Sequence, residues 1–135
     1  MEEILLVDDD PDFLGQVRRL LEAGGMRVYC AASGEDALDN LSGKSFDLMI
    51  TDYDMPGLDG ICLTRHSAII APDMPVILMT GNIASEIPLM AKKAGVAKVL
   101  GKPFSCEALL ETIRGLTVTR SKRADMEVNP MTSVV

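Results

Sequence analysis

No run of apolar residues in this 135-residue sequence approaches the roughly 20 needed to cross a bilayer as a helix. The opening Met-Glu-Glu lacks the basic flank of a secretory signal, so a cytoplasmic protein with no membrane partner is expected. Cysteine is scarce: Cys30, Cys62 and Cys106 are far apart and odd in number, with no Cys-x-x-Cys pair. That excludes a disulfide framework and a zinc site, and leaves three reduced cysteines serving as small apolar side chains. The single histidine, His66, falls on a predicted helix away from the acidic motifs and reads as a surface or packing residue. Bases are outnumbered, 13 Lys and Arg against 20 Asp and Glu, for a net charge of −7. Duplex binding needs a basic face, so direct nucleic-acid binding by this segment is excluded. A divalent cation or a partner with a positive patch suits the balance better. No internal repeat or low-complexity stretch is present.

What is present is an ordinary globular composition, 47% hydrophobic and 24% charged, at a length that fits one domain. Short apolar runs alternate with segments of helical period. Ile4–Val7 runs into Asp8-Asp9; Asp10 then caps a helix starting at Pro11, with Phe13, Leu14, Val17, Leu20 and Leu21 on one face and Gly24-Gly25 at its end. Met26–Cys30 alternates as a second strand, and Ser33 opens a second helix with Ala37, Leu38 and Leu41 inward, stopping near Gly43. Phe46–Ile50 reads as a buried strand that places Asp52 at its end, before a turn marked by Pro56, Gly57 and Gly60. A third helix is expected over 60–70 with Cys62, Leu63, Ile69 and Ile70 inward. Val76–Met79 runs into Thr80-Gly81; Ser85 is expected to cap a fourth helix with Pro88 in its first turn. A short fifth strand, Ala97–Leu100, precedes Lys102-Pro103, and Ser105 caps a fifth helix carrying Leu109, Leu110, Ile113 and Leu116. Five strand–helix alternations, several with continuous apolar strands, predict a doubly wound α/β domain with a five-stranded parallel sheet covered by helices on both faces. From about Thr117 the pattern dissolves, and residues 117–135 read as a flexible tail or the start of a linker.

The strand ends carry the chemistry. In open parallel sheets ligands bind at that edge. Asp8, Asp9 and Asp52 placed together would repel, by about 4 kcal/mol for a pair about 4 Å apart at an effective dielectric of 20. Protons or a cation must relieve this. An all-carboxylate cluster suits a hard ion such as Mg²⁺. With Thr80 and Lys102 added, the set matches what formation of an aspartyl-phosphate requires. The parts are a carboxylate nucleophile, a hydroxyl and an ammonium for the equatorial oxygens, and a cation.

Together, Val7-Asp8-Asp9, Asp52 with Met55-Pro56 and Asp59-Gly60, Thr80-Gly81, and Lys102-Pro103-Phe104 resemble a response-regulator receiver domain over residues 3 to 116. The resemblance implies the flavodoxin-like strand order 2-1-3-4-5. It makes Asp52 the phosphoacceptor, charged from a histidine kinase or phosphotransfer protein. It makes Asp9 a direct Mg²⁺ ligand with Asp8 beside it or acting through water, and the backbone carbonyl of Asp54 a further ligand. Thr80 and Lys102 hold the phosphoryl group, and Lys102-Pro103 is a cis peptide. Asp54 and Asn82 flank the site where family members tune phosphoryl lifetime. Output passes to a downstream protein partner or effector domain, or to a phosphorylation-linked homodimer, through the face formed by the fourth helix, fifth strand and fifth helix. The sequence departs from the family at Val99, where many members carry Tyr or Phe. Two alternatives stand beside this reading: a receiver-fold binding module that works without phosphorylation, and a haloacid-dehalogenase-like phosphatase using Asp52 and Asp54.

Overall fold

The computed structural model describes residues 2–116; the expected tail, 117–135, lies outside the described residues. Up to Phe104 the chain builds a sheet of five strands: β1 (Glu3–Val7), β2 (Arg27–Ala31), β3 (Leu48–Asp52), β4 (Val76–Thr80) and β5 (Lys98–Gly101). All pairings are parallel, in the order β2-β1-β3-β4-β5. Four helices connect them: α1 (Pro11–Ala23), α2 (Gly34–Gly43), α3 (Gly60–Ile70) and α4 (Ile87–Ala94). Right-handed crossovers fix the layers. The chain steps one way from β1 to β2 and the other way ever after, so α1 covers one face while α2, α3 and α4 cover the other. The contacts of α2 with α3 and of α3 with α4 agree. This is the flavodoxin-like arrangement, and its switch point lies between β1 and β3.

Strand side chains alternate between the faces. Leu5, Val7, Met49, Val76 and Leu78 belong to one buried cluster with Ala37, Leu41, Ile61 and Leu63. Their neighbours Ile4, Leu6, Leu48, Ile50, Ile77 and Met79 are equally buried and face the α1 side. Burial on both faces explains why the strands read as unbroken apolar runs.

Local signals place the elements. The Asp10 carboxylate accepts from Asp12 N at 3.0 Å and Phe13 N at 3.4 Å, with Pro11 starting the helix. Ser33 caps α2 through Asp36 N at 3.1 Å. Several expected bounds shift. β2 begins at Arg27, leaving Met26 outside, and β3 runs from Leu48 through Asp52, so Phe46 is buried without being part of the strand. The N-cap of α4 is Glu86, not Ser85, whose hydroxyl still accepts from Ile87 N at 3.1 Å.

The bounds of α3 are as expected, but its inward face is not. Leu63 is buried, whereas Cys62 is only half-buried and Ile69 and Ile70 are exposed. The buried face instead uses Ile61, Leu63, Thr64 and Ser67. Thr64 and Ser67 can face inward because their hydroxyls donate to carbonyls of their own helix, Gly60 O and Thr64 O, each at 2.8 Å. His66 is exposed, with Nδ1 2.8 Å from Cys62 O. From Ser105 the chain forms a second unit. Helix α5 (106–116) is capped by Ser105, whose Oγ accepts from Ala108 N at 3.0 Å, and Leu109 and Ile113 are buried. Among the described residues no helix is long and apolar enough to cross a membrane.

A candidate phosphoryl-acceptor site at the strand ends

Register brings the functional side chains to one place. Ile4 pairs with Leu48 and Leu6 with Ile50; one step further, Asp8 and Asp52 extend the same row on the α1 side of the sheet. On the other flank, Ile77 pairs with Lys98 and Met79 with Leu100, so Lys102 extends that row on the same side. Three chain segments thus deliver two carboxylates and an ammonium to one corner. Lys102 Nζ lies 3.2 Å from Asp8 Oδ2 and 3.1 Å from Asp52 Oδ1. Asp8, Asp9 and Asp52 offer carboxylate oxygens within 4.8 Å of one another, with Asp9 exposed and the other two buried.

Asp8 is committed on both oxygens: Oδ1 accepts from Asp10 N at 3.0 Å and Oδ2 from Lys102. Asp9 projects to solvent beside it. Burial lifts the Asp52 carboxyl above its ordinary range; Lys102 opposes the lift, and Asp8 and Asp9 add to it. Burial alone would lower the Lys102 ammonium, but its bonds and attraction to Asp52 and Asp8 outweigh this and hold it above its ordinary value. Lys102 is therefore a retained positive charge within a cluster of acids.

The loop after β3 is pinned where it leaves the site. Gly60 N donates to Tyr53 O at 2.9 Å, and the Asp59 carboxylate caps α3 through Cys62 N at 2.8 Å. Gly57 takes a positive φ of 76°, the left-handed turn that the Pro-Gly signal announces. A Cβ at Gly60 would collide with the Asp52 carbonyl and approach Leu78 Cδ1 to 2.6 Å, so only glycine lets α3 start this close to the strand. Tyr53 packs partly buried on the core, and Asp54 is exposed within this loop.

Thr80 ends β4 and is buried; its hydroxyl accepts from Asn82 N at 3.1 Å, and its carbonyl accepts from Lys102 N at 2.7 Å. The Lys102–Pro103 bond is cis. Of the six residues expected at the site, Asp8, Asp9, Asp52 and Lys102 come together directly. Thr80 stands at the neighbouring strand end and bonds within the β4–α4 loop, and Asp54 lies two residues past Asp52. Sequence reasoning missed Phe13, read only as part of the apolar face of α1. Its ring centroid lies 4.2 Å from Lys102 Nζ. Its place just after the cap, where helical side chains lean back toward the N-terminus, was the available signal.

A family model described as the response regulator receiver domain matches residues 4–114. The C4-dicarboxylate transport transcriptional regulatory protein DctD of Rhizobium meliloti is 34% identical over 111 residues, 82% of this chain but 24% of that protein. The chain likewise spans about a quarter of the transcriptional regulatory protein ZraR of Salmonella typhimurium, with 35% identity over 92% of this chain and 28% of that protein. The response regulator receiver protein CpdR of Brucella abortus is 34% identical, with 87% of this chain and 98% of that protein covered. Among solved structures, a receiver domain protein from Clostridium thermocellum superposes with a TM-score of 0.85 at 31% identity, covering 90% of this chain and 98% of that one. A CheY-like receiver from Methanospirillum hungatei gives 0.87 at 28% identity, covering 91% and 98%. The chain belongs to the response-regulator receiver domain family of two-component signalling.

Proposed function

We propose that this receiver domain accepts a phosphoryl group on Asp52 from a phosphohistidine of a partner kinase or phosphotransfer protein. A downstream protein, an effector domain or a second copy of the chain then reads the altered surface. The observation that carries the proposal is Asp52 itself: a buried carboxylate at a strand end, 3.1 Å from the Lys102 ammonium and beside the exposed acid Asp9. In the transfer, an Asp52 carboxylate oxygen attacks phosphorus while the bond from phosphorus to the donor imidazole nitrogen breaks. An acyl phosphate forms and the imidazole leaves.

The residues fit a Mg²⁺ ion: the donors are all hard oxygens, close together, and one of them is open to solvent. Asp9, Asp52 and the backbone carbonyl of Asp54 would hold it, with Asp8 close by. When bound, the ion neutralises charge on the phosphoryl oxygens. Lys102 pairs with a second oxygen. Thr80 can donate to a third, because its hydroxyl oxygen accepts from Asn82 N and its proton is left to give. Residues 1–116 form the receiver in this reading, and 117–135 the tail or linker.

Incubation of the full chain with Mg²⁺ and acetyl phosphate, followed by intact mass, tests this. One Mg²⁺-dependent phosphoryl adduct is expected on the wild type and none on Asp52→Asn. An unmodified wild type that nevertheless binds Mg²⁺ would favour the receiver-fold binding module. Steady turnover of a small phosphomonoester would revive the phosphatase.

A further inference from the structure

Phe13 touches the one ammonium that the described residues bring to the site, yet it takes no part in the proposed transfer to Asp52. The two carboxylates that bond Lys102 leave its side chain 27% exposed. A lysine stem is flexible, and holding it in one rotamer costs conformational entropy. On Lys102 the further contact is the Phe13 ring, 4.2 Å from Nζ and well within the roughly 6 Å over which a ring face attracts a cation. We propose that Phe13 is a positioning residue for Lys102, its ring holding the ammonium against Asp8 and Asp52 for capture of the phosphoryl group. The inference rests on the receiver mechanism proposed above.

The ring is itself fixed from two sides. Its backbone N–H is in the first turn of α1, directed at the Asp10 cap at 3.4 Å. Phe104, two residues beyond Lys102, meets it in a T-shaped contact at 6.1 Å and 80°. Phe13 therefore braces both the ammonium and the segment that carries it. The attraction to a ring face sets no direction for any single N–H. Lys102 can thus turn one N–H from Asp52 to an arriving phosphoryl oxygen without leaving the ring. An aliphatic residue would fill the same apolar space but present no negative face to the cation.

The test uses the full chain carrying Phe13→Leu, Phe13→Trp, or pentafluorophenylalanine at position 13, which keeps the ring's shape and reverses its quadrupole. NMR of the wild type is expected to show the Lys102 methylene protons next to nitrogen shifted upfield by the ring, a shift lost in Phe13→Leu. With Mg²⁺ and acetyl phosphate, the leucine and pentafluoro proteins are expected to phosphorylate about threefold to tenfold more slowly. The tryptophan variant should match or exceed the wild type, and the Mg²⁺ titration midpoint should stay in place throughout. Wild-type rates in both slow candidates, or slowing by leucine but not by the fluorinated ring, would overturn the positioning role and leave the receiver mechanism intact. A wild type that shows the ring-shifted lysine but takes no phosphoryl group would overturn the mechanism, and this role with it.

Discussion

Without a divalent cation, Asp52 carries charge that the fold disfavours, so Asp52→Asn is expected to stabilise the protein. The substitution removes repulsion from Asp8 and Asp9, whose ligand oxygens lie within 4.8 Å. At an effective dielectric of 20 each repulsion is at least about 3.5 kcal/mol. It also removes the attraction to Lys102 at 3.1 Å, about 5 kcal/mol on the same basis. The repulsions lost exceed the attraction lost by about 2 kcal/mol, and solvent around the exposed Asp9 cuts that to about 1 kcal/mol. Relief of burial, the largest cause of the raised Asp52 pKa, acts in the same direction. A carboxyl whose folded pKa is raised contributes stability that is complete below its unfolded pKa and is lost as pH rises through the folded value. The advantage of asparagine should therefore be full above the raised pKa and shrink as the solution is acidified through it. Thermal melts in EDTA at low salt should show Asp52→Asn melting about 3–5 °C above the wild type at neutral pH. Saturating Mg²⁺ should narrow the gap by stabilising the wild type more. An asparagine variant less stable than the wild type at neutral pH in EDTA would mean that the Lys102 ion pair outweighs the crowding of the acids, the opposite of what is expected.

Asp9→Asn spares both ion pairs of Lys102 and removes the exposed acid of the cluster. Calorimetric titration should show Mg²⁺ binding weakened by more than about tenfold, with the fold retained. Gly60→Ala places a Cβ against the Asp52 carbonyl, Leu78 Cδ1 and Tyr53 Cα, two of which are backbone and cannot yield. Urea denaturation should show a loss of about 2–3 kcal/mol, and acetyl-phosphate labelling of Asp52 should slow as its strand end shifts.

Legibility in the sequence followed the range of the interaction. Elements announced by chemistry within a few residues were placed well. Asp10-Pro11 starts α1, Asp59-Gly60 starts α3, and Ser33 caps α2. Apolar runs ending in Asp, Asp, Thr and Lys marked the strand ends, because a parallel sheet buried on both faces leaves its polar residues only at the edges. The face of α3 was misread because hydropathy counts Thr64 and Ser67 as polar, whereas each satisfies its hydroxyl within its own helix. With those two inward, Ile69 is carried round to solvent, where it is 83% exposed.

What stayed hidden were contacts between segments far apart in the chain. Phe13 was legible as an apolar helix residue, but its neighbour Lys102 is set by the register of β4 on β5 and by the cap of α1. Val99 is the complementary case: the sequence marks a missing aromatic there, and the structure shows Val99 half-buried on the core. Nearby, Ile83 covers Gly101, with Cδ1 3.2 Å from where a Cβ of that glycine would stand. Ile83 belongs to the loop whose Asn82 N–H donates to Thr80, the hydroxyl that the proposed transfer recruits. Thr80 is thus linked through its own loop to an exposed aliphatic residue rather than through the strand to a ring. No periodicity encodes that link, because loop closure and register fix it, not residue spacing.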